Sequence, residues 1–187
     1  MSENNIPRRA KVLVVGGGGR EHAIVDALSR SSRVEKIYCA PGNAGIARQA
    51  KCVPLEDTQI DELADFAGQE GIDLTVVGPE ISLAAGIVDE FESRGLKIFG
   101  PSKAAARIES SKDFAKSLMA KYNVPTAAYR TFSDYGEALA YVNAGKLPVV
   151  LKYDGLAAGK GVVVAETYEQ ADEALKDGSH RAADLRF

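Results

Sequence analysis

The sequence predicts an α/β protein: a parallel sheet wrapped by helices over residues 11–101, followed by a small α+β lobe over residues 102–177. Three observations lead there. Short apolar runs and amphipathic stretches alternate from Lys11 to Gly100, and βα alternation of this kind builds parallel sheets covered by helices. The alternation stops at Gly100-Pro101-Ser102. Beyond that point helical stretches dominate, with only a few strand-like runs.

The elements follow in order. Residues 1–10, MSENNIPRRA, are polar and read as a loose leader with little to bury. Strand-like runs are KVLVV, KIYCA, a short KCVPL, DLTVV and LKIF. Thr58 precedes IDELADFA, in which Ile60, Leu63, Ala64 and Ala67 keep helical spacing, and Gly71 closes that helix. Ser82 reads as the cap of LAAGIVDEF, whose Leu83, Ile87 and Phe91 share a face, with Gly95 as its stop. Past the boundary, Ser110 or Ser111 caps a helix through SKDFAKSLMAKY. A strand is expected around Ala127–Phe132 and a helix from Ser133 to about Asn143. The strands PVVLK and GVVVAE, joined by YDGLAAGK, complete the lobe, and Thr167 with Gln170 forms a capping box for a last helix.

Composition narrows the function classes. The chain has 187 residues, 45% hydrophobic content and a formal net charge of −3. Mild acidity without a Lys/Arg run leaves no footprint for nucleic acid. No apolar stretch approaches membrane-spanning length, and the polar start is unlike a signal peptide. Cys39 and Cys52 make no disulfide framework and no CxxC site. Each falls in a strand-like run, where a cysteine serves as a small buried apolar residue. A reducing, cytoplasmic setting is expected.

In a parallel sheet, ligands bind beyond the carboxyl ends of the strands, where GGGG, APGNAG and VGPE should emerge. Strand, glycine turn and helix together suit an anion, because glycines let backbone N–H groups approach it and the helix N-terminus adds partial positive charge. A ligand-free turn is the plain alternative. Four consecutive glycines, Gly16 to Gly19, cost roughly 1 kcal/mol each in conformational freedom relative to alanine, which favours a ligand. A dinucleotide fits poorly: Glu21 stands where G-x-G-x-x-G needs its third glycine, and the second strand ends Tyr38-Cys39-Ala40-Pro41 without a carboxylate for ribose hydroxyls. A monophosphate is favoured. Arg20 is a candidate phosphate contact, with a solvated residue as the alternative; His22 reads as an ordinary helix residue.

The second glycine loop, GLAAGKG from Gly155 to Gly161, departs from a Walker A motif. It has three residues rather than four before Gly159, Gly161 replaces the hydroxyl residue, and a strand follows instead of a helix. Such a loop between two strands is a flap able to close over nucleotide phosphates. Lys152, ending PVVLK just before it, reads as a phosphate contact rather than an edge charge. Lys112 sits in a first helical turn, where its charge opposes the helix dipole, which suggests some other role.

With both loops read, the sequence resembles the glycinamide ribonucleotide synthetases (phosphoribosylamine–glycine ligases), ATP-grasp enzymes of purine synthesis. The resemblance runs from about Lys11 to Leu175 through VLVVGGGGREHA, APGNAG, VVGPE, LAAGIVDEF, FGPS, ESSKDFAK, VPTA and PVVLKYDGLAAGKGVVVA. It implies a Rossmann-like pre-ATP-grasp domain followed by the start of an ATP-grasp domain. Such enzymes activate the glycine carboxylate with ATP for attack by the amine of 5-phosphoribosylamine, with magnesium bridging the ATP phosphates. The resemblance assigns Gly18, Gly19, Arg20, Glu21, Asn43, Gly45, Pro79 and Glu80 to the phosphosugar side. To ATP it assigns Lys112, Lys152, Gly155, Gly159, Lys160 and Gly161. The family's magnesium ligands belong to a later part of its polypeptide, and the last ten residues, GSHRAADLRF, match nothing in its pattern. A truncated chain that binds without turnover is therefore expected, and a different ATP-grasp ligase of the purine pathway or a non-catalytic nucleotide- or phosphosugar-binding module are the alternatives.

Overall fold

The computed structural model describes residues 9–156 and 161–181, with side chains through 177. Most of the expected leader, most of the expected tail over 178–187, and the candidates Gly159 and Lys160 lie outside these residues. Contacts divide the chain into two units between Ala106 and Arg107.

The first unit is a five-stranded, all-parallel sheet. Its strands are β1 (Ala10–Gly16), β2 (Val34–Pro41), β3 (Lys51–Cys52), β4 (Leu74–Val77) and β5 (Ile98–Phe99), in the order β3-β2-β1-β4-β5. β1 begins at Ala10, which is buried and whose N–H bonds Arg33 O at 2.7 Å. Helix α1 (Gly19–Ser29) and a 3-10 turn (Ile46–Arg48) cover one face, where Val14, Val25, Ile37, Cys39 and Ile46 cluster. Helices α2 (Ile60–Glu70), α3 (Glu80–Ala85) and α4 (Ile87–Ser93) cover the other, where Leu13, Val15, Tyr38, Leu63, Ile87 and Phe91 are packed out of water. Each such side chain contributes about 1.5–3 kcal/mol of burial free energy.

Two helix starts differ from the sequence reading. Gln59, not Thr58, stands at the N-cap of α2. The run from Ser82 to Phe91 is two helices rather than one, because Gly86 takes φ +105 and breaks it. Ser82 is no cap: it lies inside α3, fully buried, and its hydroxyl donates to Asp57 O at 2.7 Å. Gly71, with φ +64, closes α2 as expected. Among the described residues, Thr75 Oγ1 is a buried polar atom without a hydrogen-bond partner. Thr75→Val should therefore raise the stability of this unit by about 1 kcal/mol, since it removes an unpaired hydroxyl at nearly constant volume. Slower amide exchange in β4 would register the gain, and a loss would show that the hydroxyl has a partner in solution.

Helix α5 (Lys103–Ser110) crosses the division. The second unit continues with α6 (Lys112–Lys121), α7 (Tyr135–Ala144), β6 (Val149–Lys152), β7 (Val162–Ala165) and α8 (Tyr168–Arg181). β6 and β7 pair antiparallel, and one face of the pair buries Leu151 and Ala165 against α7 and α8 with Ala138, Val142, Ala171 and Leu175. Ser111 caps α6 by accepting the Phe114 N–H at 3.1 Å. The last helix opens on the expected capping box. Thr167 Oγ1 accepts from Gln170 N, and Gln170 Oε1 accepts from Thr167 N, both at 3.3 Å.

The strand expected around Ala127–Phe132 is absent. Its residue types favour a strand, but no neighbouring strand pairs with it, and side chains hold it instead. Lys116 Nζ donates to Thr126 Oγ1 and Ala127 O, and the Thr131 hydroxyl to Asp113 Oδ1. Among the described residues, no helix is long and apolar enough to cross a membrane.

Candidate functional site

In the first unit, three loops leave the carboxyl ends of β1, β2 and β4, which are adjacent in the sheet. The chain proceeds from β1 to β2 and β3 on one side and returns to β4 and β5 on the other. The crevice beyond such a switch in strand order is where parallel sheets hold ligands. Gly16, at φ +116, turns the chain out of β1, and Gly18 stands at the N-cap of α1.

Glu21 faces into this turn. It is buried, and its Oε2 accepts the Gly18 N–H at 2.6 Å. Three glycines make room for its carboxylate: a Cβ on Gly78 would stand 1.9 Å from Oε1, on Gly18 2.9 Å from Oε2, and on Gly16 2.7 Å from Cγ. In the structure Glu21 acts as the brace of the turn.

Arg20 links the first loop to the third. Its Nη1 donates to Gly78 O at 2.7 Å and its Nη2 to Glu80 Oε1 at 2.8 Å. Pro79 is the N-cap of α3 and Glu80 its first residue. The Glu80 carboxyl is held below its ordinary 4.5, first by the Glu80 backbone N–H and then by Arg20. Its charged form thus favours the folded state at pH values above 4.5, and this contribution disappears as pH falls through the lowered value. Carboxyl NMR should find Glu80 titrating below 4.5, with Arg20→Ala raising the value part of the way; a Glu80 indifferent to Arg20→Ala would mean that the pair does not form in solution.

Asn43 ties the second loop to the first. Its Nδ2 donates to Gly17 O at 2.8 Å, while its Oδ1 accepts from Gly45 N at 2.8 Å and Ile46 N at 2.9 Å. The backbones also touch: Gly42 N donates to Gly16 O at 3.2 Å, and a Cβ on Gly17 would meet Gly42 O at 2.6 Å. A Cβ on Gly45 would stand 2.7 Å from His22 Cε1, so the imidazole packs against that loop. The structure therefore brings together Gly18, Gly19, Arg20, Glu21, Asn43, Gly45, Pro79 and Glu80.

The second unit holds the other candidates. Lys112, Lys152 and Asp154 line a cavity of about 440 Å³ with Lys116, Arg130 and Asp113. Lys112 Nζ donates to Gly155 O at 2.8 Å, and Gly155 has φ +105. Lys152 ends β6, exposed, and Gly161 closes the base of the loop by accepting the Tyr153 N–H at 2.9 Å. The unfavourable placement of Lys112 at a helix start is compensated by Asp154, which sequence reasoning passed over. Asp154 Oδ1 accepts from Lys112 N at 2.5 Å and Asp113 N at 3.3 Å, and its Oδ2 from the Ser111 hydroxyl at 3.0 Å. Cationic side chains beside an apolar-walled cavity suit a nucleotide polyphosphate. For magnesium, the described residues offer no group of three or more His, Cys, Asp or Glu.

Comparison with known proteins gives a consistent picture. Residues 10–109 match the family model described as phosphoribosylglycinamide synthetase, N domain, and residues 110–182 match its ATP-grasp (A) domain. The chain is 60% identical over 165 residues to a phosphoribosylamine–glycine ligase of Caldanaerobacter subterraneus, a match covering 88% of this chain and 40% of that relative. It is 54% identical over 167 residues to that of Neisseria meningitidis, with 89% and 40% covered. Among solved structures, the phosphoribosylamine–glycine ligase of Thermotoga maritima is similar at TM-score 0.68 and 31% identity, over 90% of this chain and 38% of that one. A carboxyaminoimidazole ribonucleotide synthase of Aspergillus clavatus, solved with ATP, shares the fold at TM-score 0.74 and 21% identity, over 96% of this chain and 46% of the other. The chain spans about 40% of the length of the curated relatives it matches. With adjoining family models covering nearly all of its residues, the chain belongs to the phosphoribosylglycinamide synthetase family.

Proposed function

We propose that the chain supplies the phosphosugar-binding domain and the small ATP lobe of a ligase that joins glycine to 5-phosphoribosylamine. ATP is spent, and glycinamide ribonucleotide, ADP and phosphate are released. The observation that carries the reading is the interlocking of three loops beyond β1, β2 and β4, with Arg20 anchored between Gly78 O and Glu80. The α1 N-terminus, through Gly18 and Gly19, and Arg20 meet the sugar phosphate; Asn43, Gly45, Pro79 and Glu80 shape the wall around the ribose. Glu21 holds the turn rather than the ligand.

In the second unit Lys112, Lys152, Gly155, Gly159, Lys160 and Gly161 serve the ATP phosphates. ATP, when bound, supplies the phosphoryl group that activates a carboxylate for attack by an amine, with magnesium as its counterion. This chain's part is to bind and orient; by itself it binds both ligands without turnover. The setting is cytoplasmic, in keeping with two free cysteines.

Calorimetry with ribose 5-phosphate, ATP and NAD tests the reading. Ribose 5-phosphate and ATP should each bind, and NAD should not compete with ribose 5-phosphate. Lys152→Ala should weaken ATP about tenfold or more, the worth of one charge-assisted contact, and leave ribose 5-phosphate unchanged. Steady product formation by the isolated chain would refute binding without turnover, and NAD displacing ribose 5-phosphate would refute the phosphosugar assignment.

A further inference from the structure

We propose that Cys39 and Cys52 form a reversible disulfide that loosens the loops of the first unit's site and lowers its affinity for the phosphosugar. The effect on affinity rests on the reading above; the crosslink does not.

The pair is invisible in the sequence and plain in the sheet. Cys39 on β2 and Cys52 on β3 are direct Cα partners in a parallel register. Partners in register point to the same face of a sheet, and adjacent strands run about 4.7–4.9 Å apart. That spacing lies within the Cα separation of about 4.4–6.8 Å that a disulfide bridges. Both side chains belong to the cluster under α1. A Cβ placed on Gly42 would stand 3.5 Å from Cys39 Cβ, 3.5 Å from Cys52 Cβ and 2.5 Å from Cys52 Sγ, so the β-carbons of both cysteines flank one glycine and the Cys52 sulfur lies against it. Both cysteines are free, and β3 is a two-residue strand at the sheet edge. Such an edge can shift without opening the core.

Each thiol also holds a loop of the site. Cys39 Sγ donates to Gly16 O at 3.2 Å, and Cys52 Sγ to Asn43 O at 3.8 Å. A disulfide has no S–H, so oxidation removes both donors and draws Cys52 Sγ across Gly42, between the loops that Asn43 ties together.

The exchange balances with a low-molecular-weight disulfide as oxidant. The half-buried Cys52, as thiolate, attacks one oxidant sulfur and expels one thiolate, leaving a mixed disulfide. Cys39 gives its proton to water and attacks Cys52 Sγ, expelling the second thiol. Two protein thiols are oxidised and one small disulfide is reduced. Burial, with Cys52 and Glu21 adding, pushes the Cys39 thiol up to about 12, which makes the second step slow.

The test incubates the full chain with glutathione disulfide, maps thiols by peptide mass spectrometry, and follows amide exchange at Gly18, Gly42 and Ile46 together with ribose 5-phosphate affinity. A Cys39–Cys52 crosslink should form, speed exchange at those amides and weaken ribose 5-phosphate about tenfold, an allosteric coupling of ordinary size. Dithiothreitol should reverse all three. Cys52→Ser, whose hydroxyl keeps a donor for Asn43 O, should form no crosslink and show no oxidant-dependent change in exchange or affinity, whatever its own starting affinity. Glutathione resting on Cys52 with Cys39 free overturns the proposal, as does a crosslink that leaves exchange unchanged. If the reduced chain fails to bind ribose 5-phosphate while the crosslink still speeds exchange, the phosphosugar reading falls and the redox response of the loops stands.

Discussion

Gly78→Ala is expected to destabilise the first unit by about 3 kcal/mol, combining overpacking with the loss of a part-buried hydrogen bond to a carboxylate. The new methyl would stand 1.9 Å from Glu21 Oε1 and 2.6 Å from Glu21 Cγ. Glu21 cannot step aside, because Gly16 and Gly18 enclose the same carboxylate. It must leave, and the Gly18 N–H then loses its acceptor. Native-state exchange of the β1 and β4 amides reads this unit by itself. In a Glu21→Ala background the same methyl has space, so Gly78→Ala should then cost under about 1 kcal/mol, a coupling near 2 kcal/mol. Costs that simply add would show that the strain lies elsewhere than the carboxylate.

Arg20→Ala should behave in the opposite way, sparing stability and removing binding. The Arg20–Glu80 pair is well exposed, with side-chain exposures of 61% and 42%, and such pairs add little to folding. The anchoring through Gly78 O and Glu80 Oε1 instead fixes where the guanidinium plane lies. Losing a charge-assisted contact to a phosphate costs about 1.5–3 kcal/mol, so ribose 5-phosphate should bind some 10- to 150-fold more weakly. Arg20→Lys should recover only part, because lysine keeps the charge without the fork that bonds two oxygens. ATP affinity should not move. Unchanged ribose 5-phosphate affinity in Arg20→Ala would remove Arg20 from the site.

The parallel sheet was legible because β1, β4 and the second half of β2 are short apolar runs, and the loops because glycines cluster where strands end. Which sheet face a helix covers was hidden, as was the break at Gly86, where a residue with φ +105 interrupts an unbroken apolar periodicity. The segment Ala127–Phe132 misled because strand propensity says nothing about whether a partner strand is at hand. Glu21 was legible as the residue that breaks the dinucleotide pattern, but its three-glycine enclosure required Gly78, far along the chain. The pairing of Cys39 with Cys52 needed the register of β2 and β3, which spacing alone does not supply.

The carboxylate of Asp154 has a consequence for the order in which the second unit can assemble. It reaches Ser111, 43 residues earlier, and with it the first N–H groups of α6. During synthesis, α6 emerges with only its own serine as a cap and stays so until β6 and the turn after it have left the ribosome. A contact of such separation is reached late and through a large loss of chain freedom. The start of α6 is thus the last turn of that helix to become secure, and it does so in the same event that fixes the root of the second glycine loop.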